Sequence, residues 1–355
     1  PLVQELEKNK SINQILITTS TLSSAQIFKK FNFKKTIHQF FPIDSIFFSY
    51  KFLNYWKPTI VIFVESEIWP SIFRALNKKN IPLKLLNARI TKKTFKKWKR
   101  VKKFSNSVFK NISIAYPQNE ETFNYLKKLN VSKIKRIGNL KFFNNQESKF
   151  TKLDKTFLKN INLKKIWCAS STHPGEEMIC ADVHINLKKK YKNLLTIIIP
   201  RHIHRVNKIV NEIKSLGLNI VLHSSRPKKL NDTDIYLVDT YGETKKFYQS
   251  SDIVFMGKSI SGKGGQNPLE PTNLGSTVLY GPNVDNFKDT YKLLNKLKVA
   301  YKVNGVKSLT QSIDKLITKP NNKKNYLKIA KIGKKILNET KDEINSLFNN
   351  EIKKT

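Results

Sequence analysis

Short runs of β-branched and apolar residues alternate with helically spaced segments along nearly all of this 355-residue chain, and no other feature limits its fold so tightly. Gln14 to Thr18 reads as a strand, with helical spacing resuming at Ser24 to Phe31. Thr59 to Val64 followed by Ile68 to Leu76 repeats the unit, as does Leu83 to Leu86 followed by the basic segment from Thr91. Further strands are expected at Ser113 to Tyr116, Ile134 to Ile137, Ile166 to Ala169, Leu195 to Ile199 and Asn219 to Leu222, then at Ile235 to Val238, Ile253 to Met256 and Thr277 to Tyr280. The fold class that follows is α/β, with parallel sheets wrapped by helices. The length suits two domains. Polar and basic composition places a linker at 148–165, between a first domain at 1–147 and a second at 166–321, with 322–355 a lysine-rich helical tail free to pack across both.

Ligands of open parallel sheets sit beyond the carboxyl ends of the strands, so the residues just after each strand are the candidates for function. Glu65 and Glu67, two apart in Glu65-Ser66-Glu67-Ile68-Trp69-Pro70, can serve chemistry there or stabilise the next helix start by about 0.3–1 kcal/mol. Arg89, in Asn87-Ala88-Arg89, offers a planar fork for a phosphate or carboxylate. The run Phe95 to Arg100 reads as an amphipathic helix with Phe95 and Trp98 on the core. Arg201, after Pro200 at the end of an apolar strand, is aimed at a phosphate.

Gly264-Gly265-Gln266-Asn267-Pro268-Leu269-Glu270-Pro271 lets backbone approach a ligand and then opens a helix, with Asn267 as cap, Pro268 at its first position and Glu270 at its third. Free N–H groups at such a start favour anions. Asp239-Thr240-Tyr241-Gly242-Glu243 opens another helix in the same way. Ser171-Thr172-His173-Pro174-Gly175-Glu176-Glu177 has the hydroxyls and acidic first turn of a helix start. Ser171 and His173 alone do not make a hydrolase pair, and the G-x-S-x-G elbow is missing.

The net charge of +40 calls for an anionic partner. Only seven of the 66 basic residues are Arg, the other 59 being Lys spread along the chain, and no base-reading module is recognisable; a specific nucleic-acid partner is not expected. Part of the charge is a solvated surface. The rest fits acidic lipid headgroups, to which each basic side chain adds roughly 1 kcal/mol. No apolar run approaches the roughly 18–20 residues that cross a bilayer. Cys168 and Cys180 read as ordinary thiols, and His202 with His204 lack the company a metal site needs.

Taken as a set, Glu65 to Pro70, Asn87-Ala88-Arg89, Gly138-Asn139-Leu140-Lys141-Phe142, Ser171 to Glu177, Pro200-Arg201-His202, Gly242-Glu243 and Gly264 to Pro271 resemble the 3-deoxy-D-manno-octulosonic acid (Kdo) transferases of lipid A assembly, in an order and spacing that cover nearly the whole chain. The resemblance implies the GT-B architecture, two Rossmann-like domains facing a cleft, and an inverting glycosyl transfer from CMP-Kdo to lipid IVA, without cofactor or metal, at the cytoplasmic face of the bacterial inner membrane. It assigns the CMP to Pro200, Arg201, Tyr241, Gly242, Glu243, Asn267, Pro268, Leu269 and Glu270. It makes Glu65 and Lys141 transition-state stabilisers, leaving Glu67, Arg89, Ser171 and His173 as acceptor or cleft candidates.

The resemblance also implies a proton-accepting Glu just upstream of Pro1-Leu2-Val3, so a fragment is expected whose true amino terminus, with any anchor, precedes Pro1. Gln266 stands where relatives usually carry His; its amide can donate a hydrogen bond but cannot become cationic. Two other readings stay open: another nucleotide-sugar transferase of this architecture, and a non-catalytic protein that binds nucleic acid or membrane through its charge.

Overall fold

The computed structural model describes residues 1–143, 153–227, 229–319 and 323–352. They form two compact units, unit 1 from Pro1–Asn145 with Gly333–Thr355, and unit 2 from Gln146–Ile332.

Unit 1 begins α1 (Leu2–Glu7), β1 (Ile15–Thr19), α2 (Leu22–Phe28), β2 (Thr36–Phe40) and α3 (Ile46–Trp56). It continues β3 (Val61–Val64), α4 (Pro70–Lys78), β4 (Leu83–Ala88), α5 (Lys92–Arg100), α6 (Lys102–Phe109), β5 (Ile114–Pro117) and α7 (Glu120–Lys128). β1 pairs with β2, and β3, β4 and β5 form a second group, all parallel. Leu85 of β4, Phe73 and Leu76 of α4 and Phe109 of α6 are fully buried together in the core. Phe95 stacks on Tyr125 at 4.2 Å between centroids and Trp98 meets Phe109 edge-on at 5.2 Å, so the aromatic faces of basic α5 are turned inward. Side-chain oxygens of Ser45, Thr91 and Asn119 cap α3, α5 and α7.

Two features of unit 1 depart from the sequence reading. The strand expected at Ile134–Ile137 is only an isolated bridge from Ile134 to Ala115, because Gly138, at φ +119°, turns the chain away before a ladder can extend. Strand β2 and helix α3 were not expected; β2 is five residues long and its period-2 signal is broken by lysines and phenylalanines on both sides.

Unit 2 begins α8 (Lys155–Asn162), β6 (Lys165–Thr172), α9 (Glu176–Lys188), β7 (Leu194–Pro200), α10 (Val206–Lys214), β8 (Ile220–Leu222) and β9 (Ile235–Leu237). There follow α11 (Thr244–Gln249), β10 (Ile253–Met256), α12 (Leu269–Asn273), β11 (Thr277–Tyr280), α13 (Lys288–Lys296), β12 (Ala300–Lys302), α14 (Val306–Ile317) and α15 (Lys323–Ile352). The sheet is parallel, in the order β12-β11-β10-β6-β7-β9-β8. Every residue of β7 and β10 is buried, as strands covered on both faces require. Trp167, Ile198, Leu237 and Phe255 from the sheet pack with Cys180 and Val183 of α9, Ile209 of α10 and Leu309 of α14.

The stretch read as a linker is corrected here. Its first residues, 148–152, lie outside the described residues, but 155–162 are α8, a helix because Phe157 and Ile161 recur at a four-residue spacing and are buried, Phe157 against Tyr236 and Phe247. Helix α15 accounts for the expected tail; its residues from Gly333 onward belong to unit 1, where Ile344 packs with Leu6, Leu86 and Tyr116.

Candidate functional site

In unit 1 the end of β3 feeds directly into Glu65, which takes the left-handed conformation at φ 60°. A non-glycine residue in that region is held by its surroundings, and here both backbone groups are fixed: Glu65 N–H donates to Leu86 and Glu65 C=O accepts from Arg89 N–H. The side chain is thereby pointed at Lys141, whose Nζ lies 2.7 Å from Oε1 with both groups about a third exposed. Lys141 sits on the 3-10 turn Leu140–Phe142, capped by Asn139, whose Oδ1 accepts Lys141 N–H at 3.0 Å. Asn87, itself left-handed at φ 49°, accepts Leu140 N–H through Oδ1 at 3.1 Å and so ties the turn to the end of β4.

The other expected residues of unit 1 do different work. Glu67 accepts the Trp69 indole N–H at 2.7 Å, just before α4. Arg89 contributes backbone, its N–H to Glu65 and its C=O to the Ser66 hydroxyl.

In unit 2 the chain leaves β6 for β7 on one side and returns later as β10 on the other, which makes the carboxyl end of β6 the switch point of the sheet. The loops after four adjacent strands, β10, β6, β7 and β9, therefore share one edge, and every expected residue of this unit lies on them. Pro200 closes β7 and is buried; Arg201 follows, exposed, with its N–H on Thr172 C=O at 3.0 Å and no side-chain partner among the described residues. Tyr241 and Gly242 are exposed after β9. Glu243 precedes α11 at the N-cap position without a side-chain cap bond, and its carboxylate pairs with Lys246 at 2.7 Å and His223 at 3.6 Å.

Helix α12 begins later than its sequence suggests, at Leu269 with Pro268 as the preceding residue, while the Asn267 side chain accepts Leu269 N–H at 3.2 Å. Pro268 has no N–H to give, so the first bond reaches one residue further. Glu270 is exposed in the first turn and meets Lys245 of α11 at 3.5 Å, joining the two helix starts. Gly264 and Gly265 take φ +91° and +67°, which favour glycine, and a side chain at Gly265 would press on Val284. Tyr291 donates to the backbone C=O of Gln266 at 3.0 Å.

Ser171 and His173 leave β6 at this edge. Ser171 is left-handed at φ 55°, and its C=O would lie 2.4 Å from a β-carbon on Gly257, so β6 and β10 approach as closely as they do only because residue 257 is glycine. Burial lowers the His173 pKa, which keeps the ring neutral near pH 7; its Nε2 is buried with no hydrogen-bond partner among the described residues.

The acidic pair beside them was read only as a helix start, and it does more. Glu176 has no exposure, and its carboxylate accepts N–H from His173 (2.9 Å), Lys258 (2.7 Å), Ser259 (3.0 Å), Ile260 (3.0 Å) and Ser261 (3.4 Å). It thus fastens the loop after β10 to the loop after β6. Glu177, equally buried, takes a bidentate Arg205 at 2.9 and 3.0 Å and the Thr172 hydroxyl at 2.8 Å. The available signal was the pairing of two adjacent Glu with positions far downstream, and one sequence does not display pairings. Among the described residues no group of three or more His, Cys, Asp or Glu could hold a metal ion, and no helix is long and apolar enough to cross a membrane.

Residues 1–144 match the family model described as 3-deoxy-D-manno-octulosonic-acid transferase (kdotransferase). A 3-deoxy-D-manno-octulosonic acid transferase of Rickettsia bellii is 34% identical over 359 residues, covering 98% of this chain and 84% of the relative. In fold the chain is similar to UDP-GlcNAc 2-epimerase of Neisseria meningitidis bound to UDP-GlcNAc, at a TM-score of 0.63 and 17% identity, over 98% of this chain and 95% of that one. A glycosyltransferase of Rickettsia africae matches at a TM-score of 0.59 and 14% identity, over 100% and 94% of the two chains.

Proposed function

The chain belongs to the Kdo transferases, glycosyltransferases of GT-B fold, and from that premise we propose that it moves Kdo from CMP-Kdo to lipid IVA, at the cytoplasmic face of an inner membrane. The observation that carries the donor half of this reading is the gathering of Arg201, Tyr241 to Glu243 and Asn267 to Glu270 on one edge of one sheet, after adjacent strands. Arg201 is the cation for the single phosphate of CMP, and the N-terminal amides of α12 add to it. Glu243 and Glu270, carboxylates at helix starts, accept from nucleoside hydroxyl or amine groups, and Tyr241 offers an exposed ring.

For the chemistry, Glu65 and Lys141 are the assigned pair. The acceptor hydroxyl gives its proton to a general base as its oxygen attacks the anomeric carbon of Kdo, and the bond to the phosphate breaks so that CMP leaves with the bonding pair. Lys141 offsets negative charge on the departing phosphate or the Kdo carboxylate, and Glu65 balances positive charge at the anomeric carbon. Their 2.7 Å contact and the left-handed backbone of Glu65 support a pair set in place before substrate arrives.

Ligand-induced thermal stabilisation tests the donor. CMP is expected to raise the melting temperature while UDP at the same concentration does not, and Arg201→Ala and Glu270→Ala should each abolish the CMP effect. Selective stabilisation by UDP would instead assign the edge to a UDP-sugar, the ligand in the Neisseria meningitidis epimerase structure.

A further inference from the structure

Helix α15 is an unfavourable place for a glycine. Only proline is a poorer helix former, yet Gly333, the one glycine in the 30 residues Lys323–Ile352, is buried in the helix interior. What fills the space of the missing side chain supplies the reason. A β-carbon at 333 would lie 2.3 Å from the carbonyl oxygen of Phe142, 2.7 Å from its carbon and 2.8 Å from Phe143 Cα, where non-bonded atoms rest about 3.5 Å or more apart. These are main-chain atoms, with no rotamer that could move them aside. Phe142 ends the 3-10 turn Leu140–Phe142, one residue after Lys141. Three positions along the same face of α15, Ile336 covers the other end of that segment, its Cδ1 2.9 Å from where a side chain on Gly138 would begin.

Of the two surfaces in contact, the turn is the softer. From Gly333 onward α15 is fixed in unit 1 by Ile344, buried with Leu6 and Tyr116, and by Glu343, which accepts the Tyr116 hydroxyl at 2.9 Å and pairs with Lys135. The turn is three residues long and is tied by the side chains of Asn87 and Asn139. A side chain at 333 would therefore displace the turn, and with it the Lys141 ammonium that meets Glu65 at 2.7 Å.

We propose that Gly333 is a positioning residue for Lys141: its bare backbone lets α15 seat the turn at the depth from which the lysine reaches Glu65, and Ile336 completes the seat against Gly138. The inference deepens the catalytic reading above and rests on it for the effect on rate, while the effect on the turn rests on packing alone.

The test combines initial rates of Kdo transfer and CMP titration with amide hydrogen exchange of Leu140 to Phe143, all on the whole chain. Gly333→Ala is expected to lower kcat by roughly 10- to 100-fold at unchanged CMP affinity and to quicken exchange in the turn, although alanine is the better helix former. In a Lys141→Ala background the same substitution should lower kcat no further, whereas general destabilisation would lower it in both backgrounds. Should Gly333→Ala not fold, Ile336→Ala, which removes bulk from the seat instead of adding it, is expected to give the same split between rate and CMP affinity. Unchanged kcat in folded Gly333→Ala, with Lys141→Ala impaired, overturns the proposal, as does an equal loss in the Lys141→Ala background. If Lys141→Ala itself leaves kcat intact, the catalytic reading fails, and exchange in the turn alone decides whether Gly333 seats it.

Discussion

Glu65 and Lys141 form an ion pair about a third exposed, and such pairs add little to stability, so the role proposed for them predicts an effect on rate rather than on folding. Lys141→Ala and Glu65→Gln are expected to lower kcat for Kdo transfer by roughly 100-fold each while leaving CMP affinity unchanged, a split readable by combining initial rates with CMP titration. A matched loss in CMP binding would move the pair out of the chemistry. Glu176 makes the opposite case. Glu176→Ala would strip a buried set of backbone N–H groups of their acceptor and should cost about 3 kcal/mol in denaturant unfolding, with weaker CMP binding because the loop after β10 is released. Unchanged stability would mean that the loop holds itself. The motif Glu65 to Pro70 marks Glu65 as a candidate in the sequence. Glu176 reads from the sequence as part of a helix start alone, because four of the five N–H groups it accepts lie more than 80 positions downstream.

At the scale of elements, α9 is pinned to the sheet by a buried polar contact at the end opposite the candidate site. His184 Nδ1 meets the Thr196 hydroxyl of β7 at 2.9 Å and Nε2 meets Asp234, just before β9, at 3.3 Å; Asp234 also takes Lys188 and the N–H of Asn219. Burial lowers the His184 pKa to about 4, so the ring is neutral in the folded protein. The unfolded chain takes up this proton near pH 6.5 and the folded chain only near 4, so the contribution is intact above pH 6.5 and is lost as pH falls through 4. The loss approaches about 3 kcal/mol. Unfolding measured between pH 7 and 4 should show this slope, and His184→Gln should flatten it; an unchanged slope would assign the acid sensitivity to other groups. Sequence pattern found β7 and β10 because strands buried on both faces are nearly pure apolar runs. It missed β2 and mistook α8 for linker because a short or lysine-diluted element gives too few periods to read.

For the whole molecule, CMP should stabilise one unit more than the other. At about a hundred times its dissociation constant it adds about 2.7 kcal/mol to the state that binds it. Hydrogen exchange in CMP is expected to slow in β6, β7 and β10 more than in β3, β4 and β5. Equal slowing in both groups would show that the nucleotide is not a ligand of unit 2 alone. The sequence by itself determined the α/β class, most strands of both units and the loops that carry the candidate residues, because apolar periodicity and glycine turns are local and survive in a single chain. Tertiary structure alone decided the strand order that sets four loops on one edge, the division of α15 between the units, and the pairings of Glu65 with Lys141 and of Glu176 with a distant loop. These depend on contacts between residues far apart in the chain, and a pairing across such a distance leaves no periodic trace in either partner.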